Sequence, residues 1–142
     1  MAHTVTKRIH EVIDLVSKAK TKDEKINILK QNESQALKDV LVGAYHSNIV
    51  WNLPPGRPPF EAAEERSVPT NLLKQTRKFN DLIKGGTGDN LPAFKRENIF
   101  IRLIEMVHPD DAELLLKMVA KKQLAKGVTK KLAQEAFPGL IL

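Results

Sequence analysis

This sequence predicts an all-α fold: a single compact helical domain of about seven helices, interrupted by a proline-rich irregular middle loop. Three observations predict it. Apolar residues recur at spacings of three and four along most of the chain, helix-start and helix-stop residues bracket those stretches, and no segment alternates polar and apolar residues long enough to suggest a sheet. The 142 residues are 42% hydrophobic and 28% charged, a globular composition, and suffice to bury about two-thirds of the unfolded surface around one core. The single domain, 1–142, divides into N-terminal helices (1–48), the proline-rich loop (49–68) and C-terminal helices (69–142).

The first helix spans Thr4 to Lys20, with Val5, Ile9, Val12, Ile13 and Val16 on one face. Thr21-Lys22-Asp23-Glu24 places a hydroxyl at the N-cap and a carboxylate three residues on, so a second helix starts at once and presents Ile26, Ile28 and Leu29. Asn32 or Ser34 caps a third, striped by Leu37, Val40, Leu41, Ala44 and Tyr45, with Gly43 where another helix can approach closely. From Ile49 to Val68 the prolines at 54, 55, 58 and 59 forbid a helix and favour extended backbone, while Trp51, Leu53 and Phe60 can strap the loop onto the core.

A fourth helix, Leu72 to Lys84, is expected to bury Leu72, Leu73, Phe79, Leu82 and Ile83. The run GGTGDN then breaks the chain. The fifth helix, Ala93 to Val107, carries Phe94, Ile99, Phe100, Leu103, Ile104, Met106 and Val107 on more than one face and is expected at the centre of the core. The sixth begins at Pro109, with Asp110, Asp111 and Glu113 at the positive end of its dipole, and runs past Leu114, Leu115, Met118 and Val119 to Gly127 as its stop. Val128 or Thr129 starts the last, through Leu132, Ala133 and Ala136 to Phe137-Pro138-Gly139 and the tail Leu140-Ile141-Leu142.

Several function classes are excluded or disfavoured. Without cysteine there is neither a disulfide nor a thiolate metal site, and His3, His10, His46 and His108 show no metal-ligand spacing, so no metal and no cofactor are expected. The serines at 17, 34, 47 and 67 are dispersed and none sits in a nucleophile elbow, which argues against an enzyme. No run approaches the roughly 18 apolar residues of a membrane span. GGTGDN lacks the lysine and the preceding strand of a nucleotide loop and reads as a tight connection.

Charge points the other way. The net charge is +6, and six lysines with no acid fall between Lys117 and Lys131: Lys117, Lys121, Lys122, Lys126, Lys130 and Lys131. With Arg77 and Lys78 of the fourth helix they form a candidate surface for nucleic acid or an acidic protein. KKQLAKGVTKKLAQEAF resembles a helix-turn-helix around Gly127, but Gln123 stands where a small residue lets helices cross and Lys126 where an apolar one is normal, so phosphate contact without base reading is expected. Trp51, Arg57 and Phe60 form a candidate protein-partner loop with Arg57 at its tip, and QEAFPGLIL could plug a hydrophobic pocket such as that of a sliding clamp.

Three segments taken together, KRIHEVIDLVSKAKTKDEKINILKQN, GTGDNLPAFKRENIF with HPDDAELLLKM, and GVTKKLAQEAFPGL, resemble a family of small uncharacterised proteins of T4-like tailed bacteriophages, including those of cyanobacteria. The resemblance implies a phage protein of the host bacterial cytoplasm or the virion, and supplies no catalytic residue. The expected function is a non-enzymatic phage accessory protein that binds nucleic acid, or a host or phage machine acting on it, through the lysines. The alternatives are a protein-interaction module, such as a host-factor inhibitor or clamp- or polymerase-docking protein, and a minor virion structural component.

Overall fold

The computed structural model describes residues 7–54, 56–64, 72 and 75–141. Among them the chain forms six α-helices and one 3-10 helix, with no strand, giving the compact all-α domain that the periodicity implies. Helix α1 (Ile9–Lys18) buries Ile9, Val12, Ile13 and Val16; it starts later than expected, with Arg8 extended at its N-cap, and Thr4 and Val5 lie outside the described residues. Thr21 caps α2 (Lys22–Gln31) by accepting the Glu24 N–H at 3.2 Å, and Glu24 in return accepts the Lys20 N–H. Ser34, not Asn32, caps α3 (Gln35–Tyr45), accepting the Leu37 N–H at 3.1 Å. Asn32 instead donates back to the Ile28 carbonyl of α2.

The fourth expected helix is a 3-10 helix, Thr76–Leu82. Its buried residues, Thr76, Phe79 and Leu82, repeat every third position, the period at which 3-10 side chains eclipse, so this winding keeps all three on one face. Leu72 is buried as expected, whereas Leu73 and Lys74 lie outside the described residues. Ile83 then turns extended and forms an isolated antiparallel bridge with Trp51, where Asn52 N–H donates to the Leu82 carbonyl at 2.7 Å and Lys84 N–H to that of Val50 at 2.8 Å. This pairing ties the start of the proline-rich segment to the exit of the 3-10 helix.

Helix α4 (Ala93–Met106) is not the central helix. It buries Phe100, Leu103 and Ile104, but Phe94 is 62% exposed and Met106 turns outward. The centre belongs to α5 (Pro109–Val119), which packs against α1, α3 and α4 and buries Ala112, Leu114, Leu115 and Met118. A wide apolar face in a sequence therefore marks α4 less well than a narrow, fully covered one marks α5. Gly43 gives α3 its approach to α5: a Cβ there would stand 2.7 Å from both Met118 Sδ and Trp51 Cζ2.

Helix α5 also ends early, at Val119, well before Gly127. Lys122 N–H bonds the Lys117 carbonyl and Lys121 N–H that of Met118, each at 3.0 Å, the paired bonds of a Schellman cap with Lys121 in the left-handed position at φ 57°. Positions 120–129 form an irregular connector to α6 (Lys130–Ala136), which Thr129 caps by accepting the Leu132 N–H at 3.1 Å. Gly127, at φ 78°, serves a turn within that connector. The tail folds back: Ile141 is buried and its carbonyl accepts from Gln134 Nε2, while Leu142 lies outside the described residues.

Candidate functional site

The 120–129 connector is held by side chains from all three N-terminal helices. Ser17 Oγ donates to the Lys126 carbonyl at 2.7 Å and Lys25 Nζ to that of Gly127 at 3.4 Å. The Tyr45 hydroxyl accepts the Leu124 N–H at 3.0 Å and donates to the Val128 carbonyl, bridging both arms of the connector. Burial raises the Tyr45 pKa, the Leu124 bond opposing that shift. Leu124 and Val128 are buried beneath, so the backbone between them is presented outward as a fixed loop. With ten irregular positions between α5 and α6, this is no helix-turn-helix.

The lysine run does not act as one set. Lys121 Nζ donates to the Gly43 carbonyl at 2.9 Å and the His46 carbonyl at 2.8 Å, filling acceptors that the C-terminus of α3 leaves open. Desolvation, then repulsion from Lys130, lowers its pKa. Lys117 Nζ lies 3.5 Å from the Leu124 carbonyl and its charge helps hold Glu113 ionised. Among the described residues, Lys122, Lys126, Lys130 and Lys131 take part in no ion pair. Arg77 and Lys78 sit on the 3-10 helix, which packs chiefly on α3 and α4, and Arg77 lines a separate depression beside Asp39 and Phe79. The expected basic surface thus contracts to four lysines of the connector and the α6 start.

The proline-rich segment is a strap and not an open partner loop. Trp51 is buried, donates Nε1–H to the Gly43 carbonyl at 2.9 Å and meets Phe79 edge to face at 5.6 Å. Arg57, expected at the tip and placed to touch a partner, forks onto Glu113 of α5 with bonds of 2.8 and 2.6 Å and stacks over Phe60 at 5.0 Å. The bond from Arg57 holds the Glu113 carboxyl below its ordinary range, against a smaller opposing effect of desolvation. All three side chains are engaged within the fold, and these contacts hold the described residues of the strap in place. In the glycine-rich turn, Gly85 N–H donates to Asp89 at 2.8 Å, and Arg96 binds the Gly88, Leu91 and Asn52 carbonyls, so this loop too is closed on itself.

One cluster escaped the sequence entirely. The buried carboxylate of Asp111, in the first turn of α5, accepts both the His10 N–H at 2.9 Å and the His10 ring Nδ1–H at 2.8 Å through Oδ1, while Oδ2 has no hydrogen-bond partner. His108, the N-cap of α5, accepts the Asp110 N–H on Nδ1 at 3.0 Å and stacks on His10 with ring centroids 4.5 Å apart. The only local signal was His108-Pro109-Asp110-Asp111, which capping already explains; His10 arrives from the first helix.

No helix among the described residues is long and apolar enough to cross a membrane. A comparison with curated proteins finds no match. The model of a family of unknown function, DUF6433, matches residues 12–126, from the first turn of α1 to the lysine-bearing connector, and the chain belongs to that family.

Proposed function

We propose that this is a non-enzymatic phage accessory protein that binds the backbone of nucleic acid through Lys122, Lys126, Lys130 and Lys131. The observation that carries the reading is an acid-free lysine run, Lys117 to Lys131, in which these four cations are left without an ion pair among the described residues, two on a loop fixed from beneath by Tyr45, Ser17 and Lys25 and two at the start of α6. A rigid loop presents its charges without first being ordered, which favours association. Lysines reach phosphates as point charges, so the contact is sequence-tolerant and driven by counterion release. The resemblance to small proteins of T4-like phages supplies the setting, a bacterial cytoplasm during infection.

Titration of the purified protein against duplex and single-stranded DNA at several salt concentrations tests this. Four phosphate contacts give a slope of log affinity against log salt of roughly −3 to −4 on duplex DNA. Replacing all four lysines by Gln is expected to abolish that dependence. Binding that ignores salt, or survives the fourfold replacement, overturns the proposal.

A further inference from the structure

We propose that His10, His108 and Asp110 form a binding site for one divalent transition-metal ion of the zinc class, with Asp111 as the positioning residue behind His10. This is independent of the nucleic-acid reading, since the site lies where α1 meets the N-terminus of α5. One ligand atom from each of the three residues falls within 4.8 Å of the others, and His10 Nε2 stands 3.8 Å from Asp110 Oδ2. A tetrahedral ion with bonds of about 2.0–2.1 Å needs ligand atoms roughly 3.4 Å apart. The required closure is a few tenths of an ångström at Asp110, whose side chain is 67% exposed and free to move, and more at the two rings.

The arrangement around His10 points to a metal and not merely to an ion pair. A carboxylate oxygen only accepts, so Asp111 Oδ1 fixes the His10 proton on Nδ1 and leaves the Nε2 lone pair facing Asp110, beyond hydrogen-bond distance. Carboxylate, imidazole and open Nε2 in that order is the outer-shell geometry that orients a metal-binding histidine and raises its basicity. Asp111 is fully buried, with Oδ2 unpartnered, so its charge is incompletely answered by the protein itself. A cation on His10 Nε2 answers it through the ring. His108 brings a second imidazole, whose Nδ1 lies 4.0 Å from Asp110 Oδ2 and must release the Asp110 N–H it accepts if it is to ligate through that atom. Two imidazoles and a carboxylate suit zinc, cobalt or nickel better than magnesium or calcium. His10 and Asp110 border an open cleft of about 660 Å³ that Glu11 and Glu113 also line, which leaves a coordination position for water.

The test is titration of the chelator-treated full chain with Zn²⁺, Co²⁺ and Mg²⁺, read by calorimetry, melting temperature and the visible spectrum of Co²⁺. One equivalent of Zn²⁺ or Co²⁺ is expected to bind and raise the melting temperature, Co²⁺ with an intense absorption of four-coordinate geometry, and Mg²⁺ to do neither. His10→Ala strands Asp111 and confounds metal binding with folding, so the deciding variants are Asp110→Asn and His108→Ser, the serine preserving an N-cap. Each is expected to weaken Zn²⁺ binding by at least about 10-fold at unchanged metal-free melting temperature. Absence of stoichiometric uptake, wild-type affinity in both variants, or loss of binding on replacing His46 instead overturns the site.

Discussion

Replacing Lys121 isolates two opposed effects that the structure places on one residue. Its left-handed backbone, φ 57°, costs a side chain with a Cβ about 1 kcal/mol relative to glycine. Its ammonium offsets this through bonds to the Gly43 and His46 carbonyls. A bond from a charged donor is worth about 1.5–3 kcal/mol when sheltered, but this side chain is largely solvated and partly desolvated at a cost, so the two together contribute about 1–2 kcal/mol. Lys121→Ala loses the bonds and keeps the strain, and is expected to lower the unfolding free energy by about 1–2 kcal/mol. Lys121→Gly loses the same bonds but sheds the strain, and is expected to stand about 1 kcal/mol above the alanine variant, the reverse of the order in a helix interior. Urea unfolding followed by circular dichroism measures both. An alanine variant as stable as the glycine variant, or more so, refutes the strain; both variants at wild-type stability refutes the capping bonds.

Gly43→Ala drives a methyl against Trp51 and Met118 and is expected to destabilise by about 1–3 kcal/mol, measured by the same unfolding curves. His10→Ala leaves Asp111 buried with only a backbone donor and is expected to cost about 3 kcal/mol or more, with the His10→Ala/Asp111→Asn pair losing less than the sum of the single changes in a double-mutant cycle. Tyr45 is the sole tyrosine, so its phenolate absorbance reports it alone. Its folded pKa lies above its unfolded one, so the stability it contributes is complete below the unfolded value, roughly pH 10, and is lost as pH rises through the folded value. Wild type is therefore expected to weaken more steeply than Tyr45→Phe in alkaline unfolding titrations. Arg57→Gln, which releases the strap from Glu113, is expected to increase proteolytic cutting in 53–64 while the melting temperature changes little.

Local chemistry made most of the fold legible. Thr21, Ser34, His108 with Pro109, and Thr129 each cap the helix that their residue types and spacing announce, because an N-cap is decided within four residues. The stripes of α1, α3 and α5 followed from period alone. The end of α5 did not, since a lysine in the left-handed position is stabilised by carbonyls of a helix far away in sequence. Phe94 and Met106 misplaced α4 because hydrophobicity does not say which face finds a neighbour. The same distance hid the sites: lysines that look equivalent in sequence separate into Lys121, spent on α3, and Lys122, Lys126, Lys130 and Lys131, left free. His10 and His108 belong to different helices, and no spacing rule connects them.

The Gly43 carbonyl, which accepts from Trp51 Nε1 and from Lys121 Nζ, fastens the chain's two long irregular segments to one atom of α3. Such segments are ordinarily the first to open and exchange their amide hydrogens, each on its own. Here the strap and the connector share an anchor, so neither can lift without disturbing the acceptor of the other and the glycine contact beneath both. They belong to one cooperative unit with α3 and α5, and the loop that carries the free lysines inherits its stiffness from the core and not from its own backbone.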